Sequence, residues 1–149
     1  MSLEANKELA RRFIDEVFGG DKAAVDELVA EDFVPHSWGP MPPGREPLKQ
    51  AIDRVYGGLS DHRMTIDDLI AEDDRVAIRL RSHARHTGTF MGIPATDREY
   101  EISETHVVRI RDGQVVEHWR DADMLGLMQQ LGALEAPASA TQREPAATR

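Results

Sequence analysis

The chain has 149 residues, 40% of them hydrophobic, which is the material of one ordinary globular domain. Its 27 acidic residues outnumber 18 basic ones, and the formal charge of −9 disfavours nucleic acid as a partner. It has no cysteine, so a disulfide framework, a thiolate nucleophile and a sulfur-ligated zinc site are excluded. The N-terminal residues show no basic stretch followed by an apolar core, and no apolar run approaches membrane-spanning length. A cytoplasmic protein with no membrane partner is expected.

Leu9, Phe13, Val17 and Ile14, Phe18 recur at spacings of three and four, which predicts a helix from about Ser2 to Phe18. Gly19-Gly20 ends it. Asp21 can cap a short second helix carrying Val25, Leu28 and Val29. The stretch from Phe33 to Pro40, with His36 and Trp38, leaves the helical pattern, and Met41 to Gly44 reads as a Pro/Gly loop. A third helix is predicted from about Glu46 to Leu59, with Leu48, Ile52, Val55 and Tyr56 on its apolar side.

The second half reads as strands. Arg63 to Ile70 is one, and Asp73-Asp74 marks a turn. From Arg75 to Gly88, Val76, Ile78 and Leu80 face one way while Arg79, Arg81, His83 and Arg85 face the other. Glu99 to Ile110 and Gln114 to Asp121 form a hairpin around Arg111-Asp112-Gly113. A last helix starts near Ala122 or Asp123, where Asp123 suits the N-cap, and stops at Gly132. Residues 133–149 are low in complexity and are expected to be a disordered tail, leaving residues 1–132 as the domain. Helices followed by antiparallel strands predict an α+β fold. A strongly bent, mainly antiparallel sheet would hold three N-terminal helices and a short C-terminal one, with a pocket between.

Ionisable groups are costly on an apolar sheet face and persist where they are paired or do chemistry. Glu104 and His106 alternate on one strand of the hairpin, His118 and Arg120 on the other. A two-residue Asp112-Gly113 turn would set His106 opposite Trp119 and Glu104 opposite Asp121. A three-residue turn with a bulge at Gly113 would set His106 opposite His118 and Glu104 opposite Arg120. The second register is favoured because it matches opposite charges, worth roughly 0.2–1 kcal/mol. It gathers all four residues on one cavity face, with Asp121 on the other.

His106 and His118 are candidate general base and acid, because imidazole titrates near neutral pH. Glu104 and Arg120 are candidates for stabilising charge. The alternative is a hydrogen-bonded histidine pair and a buried salt bridge with no role in chemistry. His86, Tyr56, Phe90, Tyr100 and Val108 are expected to line the cavity, with His36 and Trp38 reaching in from the helix side. Trp119 would point outward, which suggests a homodimer contact. The histidine spacings match no standard metal-ligand motif, so no metal is expected.

Two segments carry a resemblance: R-H-T-G-T-F-M-G-I-P-A-T-D-R at Arg85 to Arg98, and E-H-W-R-D-A-D-M-L-G-L-M-Q-Q-L-G at Glu117 to Gly132. With the weaker L-V-A-E-D-F-V-P-H at Leu28 to His36, the chain resembles the SnoaL-like polyketide and ester cyclases of the nuclear-transport-factor-2-like superfamily over about Asn6 to Gly132. The resemblance implies a cone-shaped fold with an apolar cavity, usual homodimerisation, no metal or organic cofactor, and ring closure by an intramolecular aldol reaction. Glu104, His106 and His118 match the family's polar residue and two histidines. Arg120 stands where the family's acid/base aspartate would be.

Three functions follow as expectations. One is cofactor-free cyclisation, isomerisation or dehydration of a small apolar carbonyl or ester compound. The others are a non-catalytic module binding such a ligand, and a structural dimerisation domain with a filled cone.

Overall fold

The structure, a computed structural model, describes residues 2–37 and 39–134. Trp38 and nearly all of the expected tail lie outside the described residues. Helix α1 (Leu3–Arg12) starts where the Ser2 hydroxyl accepts the Ala5 N–H at 3.1 Å. It runs on into a π-helical turn, Phe13–Val17, closed by the Phe18 N–H donating to the Phe13 carbonyl at 3.3 Å. The wider turn puts Phe13 and Phe18, five residues apart, on one face, their rings edge to face at 5.3 Å. Asp21 caps α2 (Lys22–Leu28) as expected, accepting from Ala23 and Ala24.

Helix α2 stops one residue short of the expected stripe. Val29 instead opens β1 (Val29–Pro35), a strand not anticipated from the sequence. Helix α3 (Arg45–Gly58) leads directly into β2 (Leu59–Glu72), which begins four residues before the predicted strand. Strands β3 (Arg75–His86), β4 (Glu99–Arg111) and β5 (Gln114–Ala122) fall where the alternation placed them. Helix α4 (Met124–Gln130) closes the described chain, with the Asp123 carboxylate accepting from the Gly126 N–H at 2.9 Å.

The sheet order is β1-β5-β4-β3-β2. Only β1 runs parallel to its neighbour, so the sheet is mixed and the fold is α+β, as expected. Every helix packs on one face. On that face Phe13, Ile14, Val17, Leu48 and Ile52 meet Val76, Ile78, Leu80 and Val108 in one cluster. A second cluster, Leu59, Ala84, Tyr100 and Ile102 with Leu127 and Leu131 of α4, covers the other end. Fully burying one such side chain stabilises by about 1.5–3 kcal/mol. The opposite face is polar, with Arg79 and Arg81 paired to Asp68 and Asp67.

Bulges in β2 and β5 decide which residues share the inner face. Arg111 pairs with Gln114, so the Asp112-Gly113 turn has two residues, both with positive φ (51° and 73°). Val115 then pairs with Ile110 and Glu117 with Arg109, leaving Val116 as the extra residue. This corrects the favoured register: His106 lies opposite Arg120, Glu104 opposite Ala122, and His118 opposite Val108. The four residues still share one face, because the bulge restores the alternation that a two-residue turn alone would have inverted. In β2 a bulge between Ser60 and Arg63 contains Asp61, whose φ is 53°.

Candidate functional site

Five side chains on β3, β4 and β5 form a continuous, largely buried network. Glu104 is almost fully buried and accepts four hydrogen bonds, each 2.8 Å long. The donors are Ser82 Oγ, His106 Nε2, and Nε and Nη2 of Arg120. A carboxylate offers about four lone-pair positions, so Glu104 is saturated. Burial alone would raise its pKa. The hydrogen bonds from His106 and Arg120, with the guanidinium charge, outweigh that and hold it well below the usual carboxylate range. The same pairing keeps Arg120 protonated, although burial opposes its charge.

The imidazoles follow from that charge. Since an ionised carboxylate only accepts, His106 donates through Nε2. Burial lowers the His106 pKa despite Glu104, so the ring is neutral at pH 7 and its Nδ1 is an acceptor. His118 Nε2, 2.9 Å away, is then the donor to it. Complete burial, and then His106 and Arg120, push the His118 pKa well below its ordinary value. Phe13 and Phe18 close over this pair, with ring centroids 5.3–5.6 Å from the imidazoles.

A cavity of about 850 Å³ opens on the far side of Phe18, at the seam between the two core clusters. Its walls are mostly apolar, including Ile52, Val55, Leu59, Phe90 and three methionines, Met64, Met91 and Met124. The polar groups on it are few: Glu104, Arg120, Tyr100, Tyr56, His62, Ser37, Arg54 and Thr89. Arg120 Nη1 makes no hydrogen bond among the described residues. Burial and then the Glu104 charge push the Tyr100 phenol up to about 12, so it stays protonated.

The Arg85 to Arg98 segment builds one lip of this cavity. The Thr87 and Gly88 N–H groups donate to the Gly58 carbonyl at 3.1 and 3.0 Å. A β-carbon on Gly88 would lie 2.3 Å from the Gly57 carbonyl oxygen, so only glycine permits the approach. Phe90 and Ile93 then bracket a tight turn with positive φ at Met91 and Gly92, which lays Thr89 to Gly92 along the wall.

The expected site residues separate into groups. Glu104, Arg120, Tyr56, Phe90 and Tyr100 line the cavity. His106 and His118 join the network but are fully buried behind Phe18, away from the cavity wall. Val108 is likewise buried in the helix-facing core. His86 is on the inner face but fully buried, its Nδ1 2.9 Å from Thr96 Oγ1. His36 does not reach in. It stacks on Trp119 at 4.6 Å and pairs with Glu117, because β1 runs along β5 and carries His36 to the outer side. Trp119 is on the outer face as expected, and Arg75 lies over its ring. Asp121 is exposed. Trp38 lies outside the described residues.

His62 was missed. It lines the cavity, and the alternation His62, Met64, Ile66 was visible in the sequence, but the predicted strand began one residue too late.

Comparison with known proteins agrees with this architecture. A sequence profile for the SnoaL-like polyketide cyclases matches residues 8–131. The chain is 39% identical over 57 residues to the aklanonic acid methyl ester cyclase of Streptomyces peucetius. That stretch is 38% of this chain and spans only about two fifths (39%) of the cyclase. Among solved structures, TsrD from Streptomyces laurentii superposes with a TM-score of 0.82 at 29% identity, covering 90% of this chain and 99% of TsrD. IdmH from Streptomyces antibioticus gives 0.74 at 30% identity, covering 85% and 98%. Among the described residues no helix is long and apolar enough to cross a membrane. The profile match spans most of the chain and the solved structures share its fold, so the protein belongs to the SnoaL-like polyketide cyclase family.

Proposed function

We propose that this protein closes a ring in a small, mostly apolar carbonyl or ester compound by cofactor-free acid/base chemistry. The observation that carries the reading is Arg120. Its guanidinium is fixed by two 2.8 Å bonds to a buried carboxylate, and the rest of it faces a mostly apolar cavity. A cation held in a dry site favours a developing oxyanion more than it would in water. Removal of a proton beside a carbonyl makes an enolate whose oxygen Arg120 binds. The enolate carbon attacks a second carbonyl, one carbon–carbon bond forms, and the new alkoxide takes a proton back. The protonated Tyr100 phenol, on the same wall, suits that return. The place of the usual aspartate is filled by the oxyanion-binding group, so the base stands elsewhere on the cavity.

The matching relatives include an enzyme named for aklanonic acid methyl ester, which makes that compound the first substrate to try. Ring closure followed by chromatography should be seen with the wild type. Arg120→Lys keeps the charge but loses the two-pronged bond, and should lower kcat/KM by about 100-fold. Undiminished turnover in that variant would remove Arg120 from the chemistry. A second reading, a binding module without turnover, is favoured by the saturation of Glu104, which leaves no free carboxylate in the network. Ligand-dependent thermal stabilisation without ring closure would select it.

A further inference from the structure

We infer that His62 is the proton-abstracting base of this cavity, acting through Nε2, and that Tyr56 is the positioning residue that fixes its tautomer. The inference deepens the proposed function and rests on that reading of the cavity.

Tyr56 fixes the chemistry of the ring. Its hydroxyl lies 2.7 Å from the Phe18 carbonyl, which can only accept, so the single hydroxyl proton is committed there. The same hydroxyl lies 3.3 Å from His62 Nδ1. With its proton spent, the oxygen can only accept from Nδ1–H. A neutral imidazole with its proton on Nδ1 carries the lone pair on Nε2. Nε2 makes no side-chain hydrogen bond among the described residues, the Phe18 carbonyl is the ring's other partner, and His62 lies on the cavity wall. His106 and His118 offer the opposite case, since their facing nitrogens are bonded to each other or to Glu104.

The backbone has a device that turns His62 inward. Ser60 pairs with Arg85 and Arg63 with His83, so Asp61 and His62 together oppose Ala84. Without this bulge the inward residues after Leu59 would be Asp61 and Arg63. With it they are His62, Met64 and Ile66, as the burial pattern shows. Asp61 sits at φ 53°, a conformation that few residues other than glycine, asparagine and aspartate adopt readily.

The charged and titratable groups around His62 are Tyr56 on α3, His83 on β3, Glu104 on β4 and Arg120 on β5. Burial lowers the His62 pKa first. Glu104 and the Phe18 carbonyl oppose the shift, and Arg120 and His83 add to it. The net direction is downward, so the ring is an unprotonated base at pH 7.

The test uses 5-nitrobenzisoxazole, which needs only a base in an apolar site. The base takes the C3 proton, the C–H electron pair forms the nitrile, the N–O bond breaks and its electrons leave on the phenolate oxygen, which absorbs visible light. Wild-type protein should open this ring faster than free imidazole does at equal concentration. His62→Gln should lower the rate by about 100-fold or more, with the melting temperature kept. The wild-type rate should fall on the acid side with a midpoint below pH 6.5, and that limb should vanish in His62→Gln. Tyr56→Phe should slow the reaction less and keep the limb. Equal rates in His62→Gln and wild type, or a wild-type rate no better than free imidazole, overturn the assignment. The two readings fail differently. Ester ring closure that survives His62→Gln but falls with Arg120→Lys leaves the proposed function and removes this base. Benzisoxazole opening that depends on His62, with no reaction of the ester, leaves the base and removes the substrate.

Discussion

On the buried side of Phe18, His106 is bonded both to His118 and to a carboxylate that is itself saturated. On the cavity side, His62 has one nitrogen bonded to Tyr56 and one without a side-chain partner among the described residues, and Arg120 keeps part of its guanidinium exposed. The residue types are alike, and the difference lies in how many of their hydrogen-bonding positions the protein itself fills. A filled network holds strands in register and orients Arg120. An unfilled position facing a dry cavity can accept a proton or hold an oxyanion. Counting ionisable residues therefore locates a polar cluster, while counting their open valences divides it into scaffold and chemistry.

The largest expected effect tests the scaffold half. Glu104→Gln leaves the partly buried Arg120 without its counter-charge, and removing one partner of a buried pair costs about 3–5 kcal/mol. Urea unfolding measures this, and a loss under 1 kcal/mol would show that the pair does not hold the fold together. Next comes the partition between the two regions. Phe18→Ala should cost about 3 kcal/mol and join the histidine pair to the cavity. Chemical modification of histidine would read the change, with His106 or His118 reacting only in this variant. Reaction in the wild type at the same rate would dissolve the distinction.

The smallest effect is a slope. The folded-state pKa values of His106 and His118 lie below the ordinary 6.5, so the unfolded chain binds more protons under that pH. Their stability contribution is complete above pH 6.5 and is lost as pH falls towards the folded values. Each imidazole contributes up to about 1.4 kcal/mol per pH unit in that range. His62, also lowered, acts in the same direction. Glu104, lowered as well, adds its own loss only below about its ordinary 4.5. Melting temperatures between pH 7 and 5 should therefore fall, and fall less steeply in His118→Asn. A wild-type curve flat across that range would mean that folding leaves the imidazole pKa values unshifted.

Much of this was legible. The i, i+3, i+4 stripe of Leu9, Phe13 and Val17 and the alternation of Val76, Ile78 and Leu80 identified the helix and strand, because burial follows those two periods directly. The Asp123 cap was legible for the same local reason. The shared face of Glu104, His106, His118 and Arg120 was expected from a three-residue turn, whereas a two-residue turn and the bulge at Val116 produce it. β1 was not legible, since a seven-residue strand interrupted by exposed Glu31 and Asp32 lacks a clean alternation and is held by parallel pairing to β5. His36 followed that strand to the outer side. His86 and Val108 have the right parity for the cavity but are fully buried and off its wall.

The sequence by itself determined the class of fold, the order of every described element but β1, and the alternation within each strand, because these depend on neighbours a few positions apart. Tertiary structure alone decided the bulges in β2 and β5, the placement of Phe18 between histidines and cavity, and the commitment of the Tyr56 proton to the Phe18 carbonyl. A bulge is set by how strands far apart in the chain must bend to meet the helices above them. A hydrogen bond across 38 residues leaves no local pattern to read. Those long-range choices are what distinguish His62 from His106 and His118.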